Sequence, residues 1–347
     1  MQLPHGFIID TLLFLLINSS LEAAMRTQMM RIAIVGAALI TSATSAAAFP
    51  ERTVRIVVPF APGGVTDIAA RVIGQQLATR WKKSVVIENK AGGGGLIGMD
   101  AVRTADADGH TLLMATNGEL VVKPTITAKM PFEPAKVFVS IGAVASTPYI
   151  WAAHSKSGIN TIAELVAAAK AKPSHLAYSS AGYGSTMHMA SEQFAAATGI
   201  QMLHVPYRGG APAAAAIIAG EVPVGLVGTN SIDSVAQSGA AKLLAVTSQT
   251  RLKVVPDVPT ISETGLAKEF EATVWAGLFA PQGTPPDILS QIQRDVAAAL
   301  KERELIQKFE SMGIDVGVNQ GQAFDRQIES EKEAMALVAK HAKIKLE

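Results

Sequence analysis

The chain contains no cysteine. Disulfides, thiolate nucleophiles and cysteine–zinc sites are therefore excluded, and stability has to come from packing. Charged residues are sparse at 17% and nearly balanced, with a net charge of +1. That leaves no basic face for a polyanion, so no nucleic-acid partner is expected. The seven histidines include no H-x-H or H-E-x-x-H pair, so a metal site has no local support. A G-x-S-x-G nucleophile elbow is missing too, and no catalytic residue, metal or cofactor is expected.

The N-terminus gives a compartment. Arg26 and Arg31 flank a short positive segment, Ile32 to Ile40 is an apolar run, and small residues follow to Ala46-Ala47-Ala48. This order of charge, apolar core and A-x-A site predicts a secretory signal peptide over 1–48, cleaved between Ala48 and Phe49, and hence a periplasmic protein. The run corresponds to ~13 Å of helix, too short for a ~30 Å hydrocarbon core. A second apolar run upstream, interrupted by Asp10, suggests that translation starts at Met25, Met29 or Met30.

The remaining ~300 residues suffice for two lobes of ordinary size. Strand-like and helix-like segments alternate: Val54 to Phe60 as a strand, Asp67 to Trp81 with helical apolar spacing, Val85 to Glu88 as a strand, Met99 to Ala105 as a short helix, Thr111 to Ala115 as a strand. The rhythm continues to a final helix over Gln322 to Ala342. This predicts an α/β fold with two parallel or mixed sheets. Two apolar runs, Ser140 to Ala153 and Ala272 to Ala280, read as hinge strands between lobes. Lobe one is then 49–147 plus 276–347, and lobe two 148–275, with a ligand cleft between them. A monomer is expected.

Four strand-to-helix turns could hold a ligand, because ligands of open α/β sheets lie at the carboxyl ends of the strands. The first is Phe60 to Asp67, with Gly64, Val65 and Thr66 opening a helix whose free N–H groups favour an anion. Asp67 is read either as a ligand contact or as a cap of that helix. The second is Ser180, Ala181, Gly182 and Ser185, with His188 in the first turn of the next helix. The third is Thr229 and Asn230, and the fourth Thr116 and Asn117. Each of these also has an ordinary capping or turn reading. Gly93 to Gly98 satisfies G-x-G-x-x-G with Glu119 downstream, but a complete strand–helix pair precedes it, so it reads as a tight close-packed turn and not as a dinucleotide site.

Seven segments together resemble the substrate-binding receptors of tripartite tricarboxylate transporters, the Bug-type receptors. They are Pro59 to Asp67, Glu88 to Gly92, Asp108 to Thr111, Ser180 to Ser185 with His188, Val205 to Gly209, Pro256 to Thr260, and Trp275 to Pro285. The resemblance implies a two-lobed periplasmic-binding fold that closes over a small mono- or dicarboxylate and delivers it to membrane permease subunits. It implies carboxylate contacts from Gly64, Val65 and Thr66 and from Ser180, Ala181, Gly182 and Ser185, with Tyr207 in the matching Pro-Tyr motif. One departure stands out: Val227-Gly228-Thr229-Asn230 lacks the acidic residue that many members carry in an aromatic-Asp-Asn run, which speaks against a ligand amine. Two other readings of the same cleft are a secreted hydrolase using Ser185 and His188, and a sensor that docks to a signalling protein.

Overall fold

The computed structural model describes residues 25, 28–30, 49–127 and 129–342, with side chains of the last helix to 336. The predicted signal-peptide core and cleavage motif lie outside the described residues. No helix among the described residues is long and apolar enough to cross a membrane.

The chain from Pro50 onward forms one compact unit. It opens with β1 (Val54–Val58), α1 (Val65–Trp81), β2 (Val85–Asn89), α2 (Leu96–Arg103) and β3 (Thr111–Thr116). A long strand, β4 (Phe138–His154), then leads to α3 (Ile162–Ala171), β5 (Ala177–Ser180), α4 (Thr186–Thr198) and β6 (Leu203–Pro206). After these come α5 (Gly210–Ala219), β7 (Val224–Gly228), α6 (Ile232–Ser238) and β8 (Ala241–Val246). The chain returns through β9 (Thr273–Pro281) to α7 (Pro286–Ala299), α8 (Arg303–Glu310), β10 (Asp315–Val316) and α9 (Gln322–Ala342).

The strands run in the order β2-β1-β3-β9-β4-β7-β5-β6, with β8 and β10 also on β4. Parallel pairing is confined to β1 with β2 and β3, and to β5 with β6 and β7. Every pairing of β4, and that of β3 with β9, is antiparallel. The sheets are therefore mixed. Strand β4 changes partners midway: Phe138 to Pro148 pair with β9, whereas Tyr149 to His154 pair with β7 and β8. This two-lobed architecture has one sheet in the order β2-β1-β3-β9-β4 and a second in the order β4-β7-β5-β6. A strand buried on both faces reads as a continuous apolar run, and β4 and β9 are buried along almost all their length.

Each sheet has its own core. Trp275, Phe279 and Phe324 pack together in the core of the first, with the Trp275 and Phe324 rings edge to face, 4.8 Å apart at 75°. Ile150, Ile217, Val227 and Val246 fill the second. Helix α7 ends at Ala299, and α8 starts after a short break at Arg303. No glycine or proline marks that break. A π-helical turn, Gly118–Val122, also went unread.

Candidate functional site

Three helices begin at one place. Helix α1 starts after Gly64, α4 after Ser185 and α5 after Gly209. A Cβ placed on Gly64 would lie 3.8 Å from the Gly210 backbone N, and one placed on Gly210 would lie 3.2 Å from Met187 Cε. The first turns of α1, α4 and α5 therefore meet around Gly210. Helix α1 flanks the first sheet, while α4 and α5 flank the second. First-turn N–H groups have no partner inside their own helix, and three positive dipole ends together favour an anion.

These helix starts border a cavity that opens to solvent. Of the expected site residues, Phe60, Gly64, Val65, Thr66, Thr116, Ala181, Ser185 and Asn230 line it. Reading the sequence missed Tyr149, Thr186, Met187, Gly210, Gly228 and Val274. The Arg-Gly-Gly before α5 was the available signal for Gly210. Tyr149 and Val274 come from β4 and β9, whose register only the folded chain shows. No Asp, Glu, Lys, Arg or His is among the lining residues.

The other expected residues lie behind or beside this wall. Asp67 is buried and does not line the cavity. Its carboxylate accepts from Gly63 N–H, from the Arg71 guanidinium and from Asn89 Nδ2, all at 2.9 Å. Burial alone would raise this carboxyl, but those bonds hold it below the usual range. Asp67 thus shapes the Ala61-Pro62-Gly63 loop, and Asn89 adds a bond to Phe60 O. Ser180 Oγ accepts from Gly182 N–H at 3.1 Å and lies 2.6 Å from His204 Nε2. His188 Nδ1 accepts from Gly184 N–H, and its ring stacks on His204 with centroids 3.9 Å apart. Ser180 and His188 thus organise the Ser–Gly loop.

Gly182 and Tyr207 line a separate cleft with Tyr183 and Arg208, and the Tyr207 hydroxyl donates to Glu221. Thr229 Oγ1 shares a hydrogen bond of 2.9 Å with Thr147 Oγ1. Asn117 Nδ2 donates to Thr273 O, and its Oδ1 accepts from Thr186 Oγ1. Asn230 opens no helix: α6 starts at Ile232, Ser231 makes no side-chain capping bond, and Asn230 Nδ2 donates to Gly63 O at 2.7 Å.

That Asn230 bond joins loops of the two sheets, as does Ala61 N–H to Arg208 O at 2.9 Å. A third tie is Lys123, whose ammonium donates to Gly93 O at 3.3 Å and Tyr183 O at 3.0 Å. Burial lowers its pKa, and the Glu119 carboxylate opposes that. The glycine run therefore serves as a turn. Gly92, Gly93, Gly94 and Gly95 all have positive φ, and a Cβ on Gly94 would collide with the Tyr183 carbonyl.

Glu119 is fully buried on the π-helical turn. Its Oε2 accepts from Thr116 N–H and Oγ1, both at 2.8 Å, while Oε1 has no partner. Burial pushes its carboxyl up to about 7, against the bonds from Thr116 and the charge of Lys123. Between the unfolded value of 4.5 and about 7 the folded state holds the extra proton, so stability falls as pH rises through this window. At ~1.4 kcal/mol per unit of pKa, the ionised carboxylate costs about 3 kcal/mol above pH 7. Glu119→Gln keeps the acceptor and removes the charge. It is expected to raise Tm more at pH 8 than at pH 5 in paired thermal melts; an equal or opposite shift would show that the carboxylate is not strained. The histidine pair acts with the opposite sign. Burial lowers His188 to about 4 and His204 to about 3, so their contribution is lost as pH falls below 6.5.

A hydrolytic pair does not form. Ser185 Oγ accepts from the His188 backbone N–H at 3.3 Å, and the His188 ring nitrogen Nδ1 is engaged by Gly184. Among the described residues no cluster of three or more His, Cys, Asp or Glu could hold a metal.

A two-lobed α/β chain with helix starts converging on an uncharged interlobe cavity is a solute-binding protein of the periplasmic kind. The sequence profile of the tripartite tricarboxylate transporter family receptor matches residues 69–343, and the chain belongs to that family. It is 32% identical over 280 residues to Protein BugT of Bordetella pertussis, covering 80% of this chain and 86% of that one. Among solved structures it is similar to R. palustris Rpa4515 with adipate, at 31% identity, TM-score 0.81, and 86% and 99% coverage of the two chains. It is also similar to MatC from Rhodopseudomonas palustris with bound malate, at 28% identity, TM-score 0.79, and 84% and 99% coverage.

Proposed function

We propose that this chain is a periplasmic receptor that captures a small organic carboxylate between lobes 49–147 plus 276–347 and 148–275, and hands it unchanged to the permease subunits of a tripartite transporter. The observation that carries this is the meeting of three helix N-termini from two sheets at one cavity with no charged side chain on its wall. An anion there would bond to first-turn N–H groups and to the Thr66 and Ser185 hydroxyls. Contacts to both lobes exist together only when the lobes are shut, so binding selects the closed form. The family and the carboxylates held by its solved relatives support the same reading.

The test is a thermal-shift screen of carboxylates on Phe49–Glu347. At a hundredfold excess over Kd, binding adds ~2.7 kcal/mol to stability. At least one acid is expected to raise Tm and to be recovered unaltered by mass spectrometry. A screen with no shift, or one in which the ligand is chemically changed, would overturn the receptor reading.

A further inference from the structure

We infer that the ligand of this chain carries a single carboxylate on an apolar body, and that diacids are poor ligands. This rests on the carboxylate-receptor reading and narrows it. The argument is an account of donors. Five lining side chains besides Ser185 carry polar atoms: Thr66, Thr116, Tyr149, Thr186 and Asn230. Most are already committed. Thr116 Oγ1 donates to Glu119, Thr186 Oγ1 donates to Asn117, and Asn230 Nδ2 donates to Gly63 O. The Tyr149 hydroxyl pairs with Thr186. Ser185 Oγ only accepts, from His188 N–H, which leaves its own proton to give. Thr66 makes no side-chain hydrogen bond among the described residues.

The free donors are thus Thr66, Ser185, the second N–H of Asn230 Nδ2 and the first-turn N–H groups of α1, α4 and α5; they belong to the helix starts around Gly210 or, for Asn230, to the Gly63 turn that leads into α1. One carboxylate offers about four lone-pair sites and can absorb that set. Elsewhere the wall is the Phe60 ring and the aliphatic or thioether groups of Val65, Ala181, Met187 and Val274. A second carboxylate lodged there would be buried without a cation or a free donor, which is strongly unfavourable. The cations nearby are spent or outside. Lys123 gives protons to Gly93 O and Tyr183 O, and Arg208 lines the neighbouring cleft. Gly228 leaves no room for a side chain on this wall, since a Cβ there would fall 2.5 Å from Asn230 Oδ1 and 2.9 Å from Val65 Cγ2.

Matched acids decide it. Hexanoate and adipate share a six-carbon chain and differ in whether the far end is methyl or carboxylate; benzoate and malate add a ring and a short diacid. Isothermal titration of Phe49–Glu347 with all four is expected to give the better monoacid a Kd at least tenfold below that of the better diacid. Hexanamide is expected not to bind. If adipate or malate equals or exceeds both monoacids, the apolar-body inference is overturned while the receptor reading stands. If no carboxylate of any kind shifts the protein, both fall together.

Discussion

Lys123→Met is expected to weaken binding of the tightest carboxylate at least tenfold without removing any ligand contact. The ammonium is almost fully buried and is bonded to one carbonyl from the loop after β2 and one from the loop after β5. The second bond exists only while the two loops are together. A hydrogen bond to a charged group contributes ~1.5–3 kcal/mol, and its loss shifts the equilibrium towards the open form. Apparent affinity falls in proportion to the closed fraction, by ~10- to 100-fold for that energy. Gly94→Ala attacks the same contact from the other side, since its methyl group would meet the Tyr183 carbonyl and the Lys123 ammonium. Both variants should give a larger radius of gyration by X-ray scattering than the wild type at equal ligand concentration. Wild-type affinity and an unchanged scattering curve in both would mean that Lys123 does not hold the lobes together. Thermal melts of the free proteins separate this from misfolding.

Thr66→Ala and Ser185→Ala should each cost about ten- to hundredfold in Kd. These hydroxyls stay free while those of Thr116 and Thr186 are spent on internal bonds, and a bond from a neutral donor to a buried carboxylate is worth ~1.5–3 kcal/mol. Ser185 is also the cap of α4, so its variant should lose ~1 kcal/mol of stability as well. That loss appears in the melt, whereas the affinity loss appears in titration of the folded protein. Arg208→Ala should bind almost as the wild type does, because its side chain borders the neighbouring cleft. Added salt should change Kd little, since a buried site is poorly screened. If both hydroxyl variants bind normally and Arg208→Ala does not bind, an arginine clamp replaces the neutral-donor account.

The local signals in the sequence were reliable where one residue type forces one conformation. Val54 to Phe60 reads as a buried strand and is one over Val54–Val58; Gly63 and Gly64 break it, and the apolar spacing in Asp67 to Trp81 marks the helix that spans Val65–Trp81. Ser185 is legible as a cap because few side chains can accept from the third residue of a helix. The uniformly apolar runs of β4 and β9 are visible for the same reason: a strand covered on both faces has no polar side to show. These features are enough for an α/β chain with glycine-rich turns at its strand ends.

Tertiary structure decided everything that depends on partners distant in the chain. Strand direction is one case, since an apolar run does not state whether its neighbour is parallel or antiparallel, and the switch of β4 from β9 to β7 and β8 follows from pairing alone. The roles of polar residues are another. Asp67 and Asn230 look like helix-start groups in the sequence, yet one is saturated by Arg71, Asn89 and Gly63, and the other reaches a carbonyl 167 residues away. Glu119 and Lys123 lie in a segment without strong periodicity, and only burial raises the one pKa and lowers the other. Hydrogen-bonding capacity is a property of each residue, but which capacity is left over for a ligand is settled by the neighbours that the fold brings within 3 Å or so.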